Sequence, residues 1–257
     1  MRLASLPQGR DGRLIVVSDD LVWYADADHI VPTMQALLDA WDRYAPLLES
    51  LSIELAHGAI PRKRFHEREA AAPLPRSYGR FGGSDMLMGA RDAFVLADEA
   101  WSAVFAPAVV VVTGDVPQGA DAEAACACIE LVGFANEVTL HAHPALDGPV
   151  AVATHCSPVF VTPEALGDAW QAGALKAPLA IEHGGAVLHV SAADLDFGAA
   201  LARLAAARPI RAGSLVGLTL PGAGGAALHH GETVRVDVRD GKGRSLFGAI
   251  EQKIVRY

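Results

Sequence analysis

The sequence predicts an α+β fold, mostly β, with a small N-terminal α/β unit ahead of a larger β domain. Three observations predict it. Strand-like runs dominate the chain after residue 72, helix-like stretches are few and short, and the two do not alternate as a doubly wound sheet requires. At 257 residues, 51% of them hydrophobic and 20% charged, the chain can bury a sizeable core and is too apolar to be disordered.

Taken in order, Arg13–Val17 and Val22–Ala25 read as two short strands, with Ser18-Asp19-Asp20 as the turn. Thr33 is placed to cap a helix running to about Leu55, with an apolar stripe through Leu37, Leu38, Trp41, Tyr44, Leu47 and Leu48. Pro46 is expected to end or kink it. The stretch His57–Pro75 is basic, Ala-rich and punctuated by prolines, and reads as a linker. The units are therefore 1–72 and 73–257.

Val104–Thr113 is a strong β run, Ala120–Cys128 a short helix candidate, and Ile129–Leu140 a second long strand. Thr162-Pro163-Glu164 carries the marks of a helix start, a capping Thr followed by Pro and an acid. Phe197–Ala207 reads as a helix. Leu215–Leu220, Glu232–Asp240 and Arg244–Ile254 read as strands, the last two joined as a hairpin through Asp240-Gly241-Lys242-Gly243.

Several function classes are disfavoured at this level. The longest apolar run, Ala103–Val112, is broken by Pro107 and falls short of the roughly 18 residues of a membrane span. The opening residues carry no apolar h-region, so a cytoplasmic protein is expected. Net charge is −9, and the densest basic cluster, Arg62-Lys63-Arg64 with His66 and Arg68, is interleaved with Glu67 and Glu69. It reads as a solvated linker, and no nucleic-acid partner is expected. Three cysteines are an odd number, and Cys126 and Cys128 would point apart on a helix. All three read as small core residues of a reduced protein.

Motifs for common chemistries are absent: no G-x-S-x-G elbow, no P-loop and no H-E-x-x-H. Gly222-Ala223-Gly224-Gly225-Ala226-Ala227 mimics a dinucleotide fingerprint but leads into a strand, so it reads as a mobile loop. His141 and His143 would share a face with Glu137 if their strand continued, and His155 follows shortly after. Such a set could hold zinc or another transition metal. Pro144 argues against it, and scattered histidines are the ordinary reading. In His229-His230, adjacent side chains on a strand would point to opposite faces.

Longer stretches resemble one family. Asp11-Gly12-Arg13-Leu14-Ile15-Val16-Val17-Ser18, Pro73-Leu74-Pro75-Arg76-Ser77-Tyr78, Leu96-Ala97-Asp98-Glu99-Ala100-Trp101 and Val112-Thr113-Gly114-Asp115-Val116-Pro117 occur in the order found there. So do Ser157-Pro158-Val159, Leu166-Gly167-Asp168-Ala169-Trp170 and Phe247-Gly248-Ala249-Ile250-Glu251-Gln252. Along its whole length the chain is similar to the fumarylacetoacetate hydrolase family. The resemblance implies a mixed β-sandwich roll behind a small N-terminal domain, and commonly a homodimer. It also implies Mg²⁺ or Mn²⁺ held by an E-x-E strand and two aspartates, with a histidine to activate water and a lysine and an arginine on substrate oxygens.

The sequence departs from that pattern. The E-x-E positions align with Ala106 and Ala108, and the Asn-Asp pair with Asn136-Glu137. The lysine aligns near Ala151. The segment with the histidine and arginine should lie between Tyr78 and Gly82, where only Gly79-Arg80-Phe81 stands. The Gly-Ser-Gly-Thr loop is replaced by Gly217-Leu218-Thr219-Leu220-Pro221. Clustered carboxylates without a cation repel and are costly to desolvate, so their joint replacement is coherent with loss of the ion.

The favoured expectation is a family member without the metal-dependent C–C hydrolase chemistry, in a structural, regulatory or ligand-binding role. The alternative is an enzyme with rebuilt, metal-independent chemistry on a 2-oxo or 1,3-diketo acid, drawing on Glu137, His141, His143 and His155. No metal cofactor is expected, and a small oxo or diketo acid is the ligand class. Glu137 is expected to be buried and unpaired, with Arg80 and Arg91 as possible partners.

Overall fold

The computed structural model describes residues 1–257. The N-terminal unit carries strands β1 (Arg2–Leu6), β2 (Arg13–Val17), β3 (Trp23–Asp26) and β4 (Lys63–Arg64), with helices α1 (Met34–Leu38) and α2 (Trp41–Ala56). The short strands β5 (Gly79–Phe81), β6 (Leu87–Met88) and β7 (Phe94–Val95) follow. Next come β8 (Ala103–Thr113), α3 (Ala122–Ala127), β9 (Ile129–Leu140), β10 (Val150–Cys156), β11 (Phe160–Val161) and α4 (Pro163–Leu166). The chain ends with β12 (Trp170–Gln171), β13 (Ala174–Leu175), β14 (Leu179–His183), β15 (Ala186–Val190), α5 (Phe197–Ala205), β16 (Ser214–Thr219), β17 (Thr233–Val238) and β18 (Ile250–Val255).

Two large sheets and the small two-stranded ribbon β12-β13 organise these strands. An 11-stranded sheet runs β4-β3-β2-β1-β11-β9-β8-β16-β5, with β10 and β6 added beside β9. A five-stranded sheet runs β15-β14-β17-β18-β7. The large sheet crosses from the N-terminal unit into the β domain through the β1–β11 pairing.

The large sheet is covered on both faces, which explains why β8 and β9 read as nearly unbroken apolar runs. On one face Phe105, Val109, Val111, Phe134 and Val138 pack against Val234, Val236, Ile250 and Ile254 of the five-stranded sheet. On the other, Val110, Val112, Leu131 and Ala135 lie in the cluster that holds Met34, Leu37, Leu48 and Leu55 of the helices.

Several local expectations are corrected. Thr33 does cap α1, its Oγ1 accepting from Ala36 N at 3.1 Å, but the helix breaks at Ala40, where φ is −146°. Pro46 neither ends nor breaks α2; it lies in the second turn, where only the carbonyl of Asp42 loses its partner. The stretch His57–Pro75 is not a free linker. It contributes β4, which pairs with β3, and it buries Phe65, Ala70, Ala72 and Leu74. Thr162 makes no side-chain cap; its Oγ1 accepts from the Met1 nitrogen at 2.8 Å. Cys156 is buried, but Cys126 and Cys128 are only half-buried.

The last two strands pair antiparallel, with the turn tied by Asp240, whose Oδ1 accepts from Lys242 N and Arg244 N. The Gly222–Ala227 loop is docked rather than mobile: Gly225 N donates to Phe105 O at 3.0 Å, and Leu228 N to Ala103 O at 2.9 Å. Gly224 is required there, since a Cβ would fall 2.2 Å from Phe105 O. No helix is long and apolar enough to cross a membrane.

Candidate functional site

The site grows from the pairing of β8, β9, β10 and β16. In register, Ala106 and Thr154 both stand opposite Glu137, and Ala108 opposite Ala135. Strand alternation puts Ala106, Ala108, Thr154 and Glu137 on the helix-covered face. Beyond β8, Gly217 of β16 stands opposite Val110, and β5 pairs in parallel with β16, setting Arg80 opposite Leu215. The same face thereby receives Arg80.

Arg80 Nη2 donates to Glu137 Oε1 at 2.8 Å, and the two side chains are 7% and 9% exposed. Glu137 is therefore paired, contrary to the sequence-based expectation. The pairing arises because β5 runs alongside β16, which brings Arg80 to a residue 57 positions away in sequence. Arg91, the other named candidate, is held instead by Glu67 and Glu251. Burial holds the Glu137 carboxyl above the ordinary carboxylate range, and the Arg80 guanidinium opposes that shift.

A short loop closes over the pair. Thr154 Oγ1 accepts from Ser84 N at 3.1 Å and donates to Ser84 O at 3.0 Å, while Arg80 Nε donates to the same carbonyl at 3.2 Å. Between them Gly83, with φ +67°, passes so close that a Cβ would lie 2.2 Å from Glu137 Oε1. Arg80 Nη1 is buried and has no acceptor.

The donor set does not fit a hard divalent cation. Such ions take several oxygen ligands, mostly carboxylates. Here Ala106 and Ala108 supply none, and the nearest cation to the one carboxylate is a guanidinium. Nowhere in the chain do three His, Cys, Asp or Glu side chains come together in a metal-binding group.

The candidate histidines do not join Glu137. β9 stops at Leu140, so His141 is exposed in the following turn, and His143 packs edge-on against Trp101 with ring centroids 4.3 Å apart. His155 stands opposite Asn136, one residue from Glu137, and so faces the inter-sheet core on the other side of the sheet. It is fully buried, neither ring nitrogen has a hydrogen-bond partner, and burial pushes its pKa down to about 4. Beside it Asn136 Nδ2 donates to Gln252 Oε1 at 2.6 Å. His229 and His230 do not diverge. They lie in a turn, and both rings reach Glu99, at 3.0 and 2.9 Å.

None of the five principal clefts is lined by Arg80 or Glu137. Sequence reasoning missed Ser84, Thr154 and Gly83. Only Gly82-Gly83, a pair that permits a tight backbone approach, marks the loop in the sequence.

Comparison with known proteins gives a consistent picture. Residues 1–76 match the family described as fumarylacetoacetase N-terminal domain 2, and residues 59–255 match fumarylacetoacetate (FAA) hydrolase C-terminal. No curated protein matches the chain. Among solved structures, maleylpyruvate hydrolase from Sphingobium sp. SYK-6 is 16% identical with a TM-score of 0.75, covering 100% of both chains. That enzyme is also known in complex with manganese (II) ion and pyruvate. Fumarylacetoacetate hydrolase from Exiguobacterium antarcticum is 15% identical, TM-score 0.67, again covering 100% of both chains. The 2-hydroxyhepta-2,4-diene-1,7-dioate isomerase from Mycobacterium marinum is 16% identical, TM-score 0.62, covering 100% of this chain and 98% of that one. At these identities the likeness is one of fold.

Proposed function

The chain belongs to the fumarylacetoacetate hydrolase family, and from that premise we propose that it is a member in which an internal cation has taken the place of the family's metal. On this reading it is not an active metal-dependent C–C hydrolase. It serves as a ligand-binding or regulatory protein, and its ligand class is a small 2-oxo or 1,3-diketo acid.

The observation that carries the reading is the Arg80–Glu137 pair, buried under the Gly83 loop. A guanidinium neutralises the single carboxylate, so no divalent ion is needed to offset its charge. The unpartnered Arg80 Nη1 is the donor a carboxylate or enolate oxygen would take, and because none of the principal clefts reaches it, such binding requires its surroundings to give way. Fold alone does not assign activity, because function resides in the site.

The alternative, a metal-independent enzyme built on Glu137, His141, His143 and His155, is less well supported. His155 lies on the opposite sheet face and His141 in an exposed turn. The reading includes a homodimer. β15 is an edge strand with Val187 and Leu188 59% and 47% exposed, and such edges are usually covered.

The test is to incubate the protein with an acylpyruvate, with and without Mn²⁺, and follow pyruvate release and thermal stability. We expect no pyruvate above background in either case, with stabilisation by the acid alone. Turnover that depends on Mn²⁺ would overturn the reading.

A further inference from the structure

One surface cleft lies away from the Arg80–Glu137 pair and is rich in cations. It has a volume of about 650 Å³ and is lined by Arg2, Lys176, Arg239, Lys242 and Arg244 against two carboxylates, Asp168 and Asp240. This concentration of positive charge occurs in a chain whose net charge is −9. Such a local field draws small anions that the rest of the surface repels.

Not all of this charge is used up internally. Asp240 is already neutralised by its own turn, with Arg244 Nη2 at 2.8 Å and two backbone N–H groups on Oδ1. Arg239 is held at the rim by Asp237, 2.8 Å away. Lys176 Nζ donates only to the Ala193 carbonyl, at 3.2 Å, and Lys242 has no carboxylate partner. Arg2 is 8% exposed; one edge of its guanidinium meets Asp19, and its buried Nε has no acceptor. A buried guanidinium with an unfilled donor, beside two free ammonium groups, has the chemistry of a site for phosphate or carboxylate oxygens.

We propose that this cleft binds a small polyanion, a phosphate or a dicarboxylate, through Arg2, Lys176 and Lys242. The site is separate from the Arg80–Glu137 pair. Arg2 stands opposite Val161, which stands opposite Val132, five residues along β9 from Glu137, a separation of roughly 20 Å. Its success or failure therefore leaves the reading of the family site untouched.

The test is calorimetric titration with inorganic phosphate and, separately, succinate, at fixed ionic strength. We expect saturable binding of one ion per chain, weakened about tenfold or more by Lys176→Ala with Lys242→Ala, both exposed positions. Arg62→Ala with Arg64→Ala, an exposed basic pair elsewhere, should leave it unchanged. Tighter binding of phosphate assigns a phosphate ester, and tighter binding of succinate assigns a dicarboxylate. No saturable heat with either ion up to tens of millimolar, binding that survives the lysine substitutions, or equal loss in the control pair would overturn the proposal.

Discussion

Arg80 and Glu137 form a 2.8 Å ion pair with less than a tenth of either side chain exposed, beneath the Gly83 loop. Breaking a buried pair strands a charge, whereas replacing both partners with apolar groups is often neutral. Glu137→Gln or Arg80→Met alone should therefore cost about 3–5 kcal/mol. The double variant Arg80→Met with Glu137→Leu should cost clearly less than the sum. Urea denaturation of the four proteins reads the coupling, and additive losses would mean that the two groups do not act as a pair.

The loop over the pair depends on a residue without a side chain. Gly83→Ala forces a Cβ into a left-handed backbone and onto Glu137 Oε1, 2.2 Å away. We expect a loss of about 2–4 kcal/mol from backbone strain and displacement of the pair. Gly119→Ala is the control: its φ is +78° with nothing within 4 Å, so only the backbone penalty of about 1–2 kcal/mol applies. Equal losses would place Gly83 outside the packed site.

His155 gives a pH dependence of known sign. Its folded pKa is about 4 because burial disfavours the charged ring, with Asp92 opposing that shift. The unfolded chain takes up a proton near pH 6.5, while the native one stays neutral to about 4. Stability is thus full above about pH 6.5 and falls by about 3 kcal/mol as the pH drops toward 4. His155→Leu should remove that contribution while changing stability at pH 8 by less than about 1 kcal/mol. Melts across this range check it.

Glu130 acts with the opposite slope. Burial, with Asp42 and Glu164 adding repulsion, pushes its carboxyl up to about 7. The native state keeps this proton longer than the unfolded chain, so stability falls as the pH rises from about 4.5 to about 7. Because the group is still substantially hydrated, the effect is about 1–2 kcal/mol. Glu130→Gln should stabilise the protein at pH 8 and leave it unchanged at pH 4. Denaturation at the two pH values measures the difference.

The architecture is more legible in the sequence than the site. β8 and β9 announce themselves because both faces of the large sheet are covered, so most of their residues are apolar or small. Ala106 and Ala108 are easy to locate, since both fall on β8. The Arg80 contact is not, because a three-residue strand in a Gly-rich stretch carries no periodicity, and its partner strand lies some 135 residues onward. The segment 57–75 misleads for a related reason. Its buried residues, Phe65, Ala70, Ala72 and Leu74, are too widely spaced and too small to signal packing against charged neighbours. His155 is misread because two residues adjacent in register, Asn136 and Glu137, face opposite sides of one sheet.

On the function proposed above, Arg80 takes the place of the family's metal. Elemental analysis of the protein, purified without chelator and then equilibrated with millimolar Mn²⁺ and desalted, tests it most directly. Far less than one manganese per chain is expected, in the parent protein and in Glu137→Gln alike. About one manganese per chain in the parent, lost in Glu137→Gln, would make Glu137 a metal ligand and contradict it.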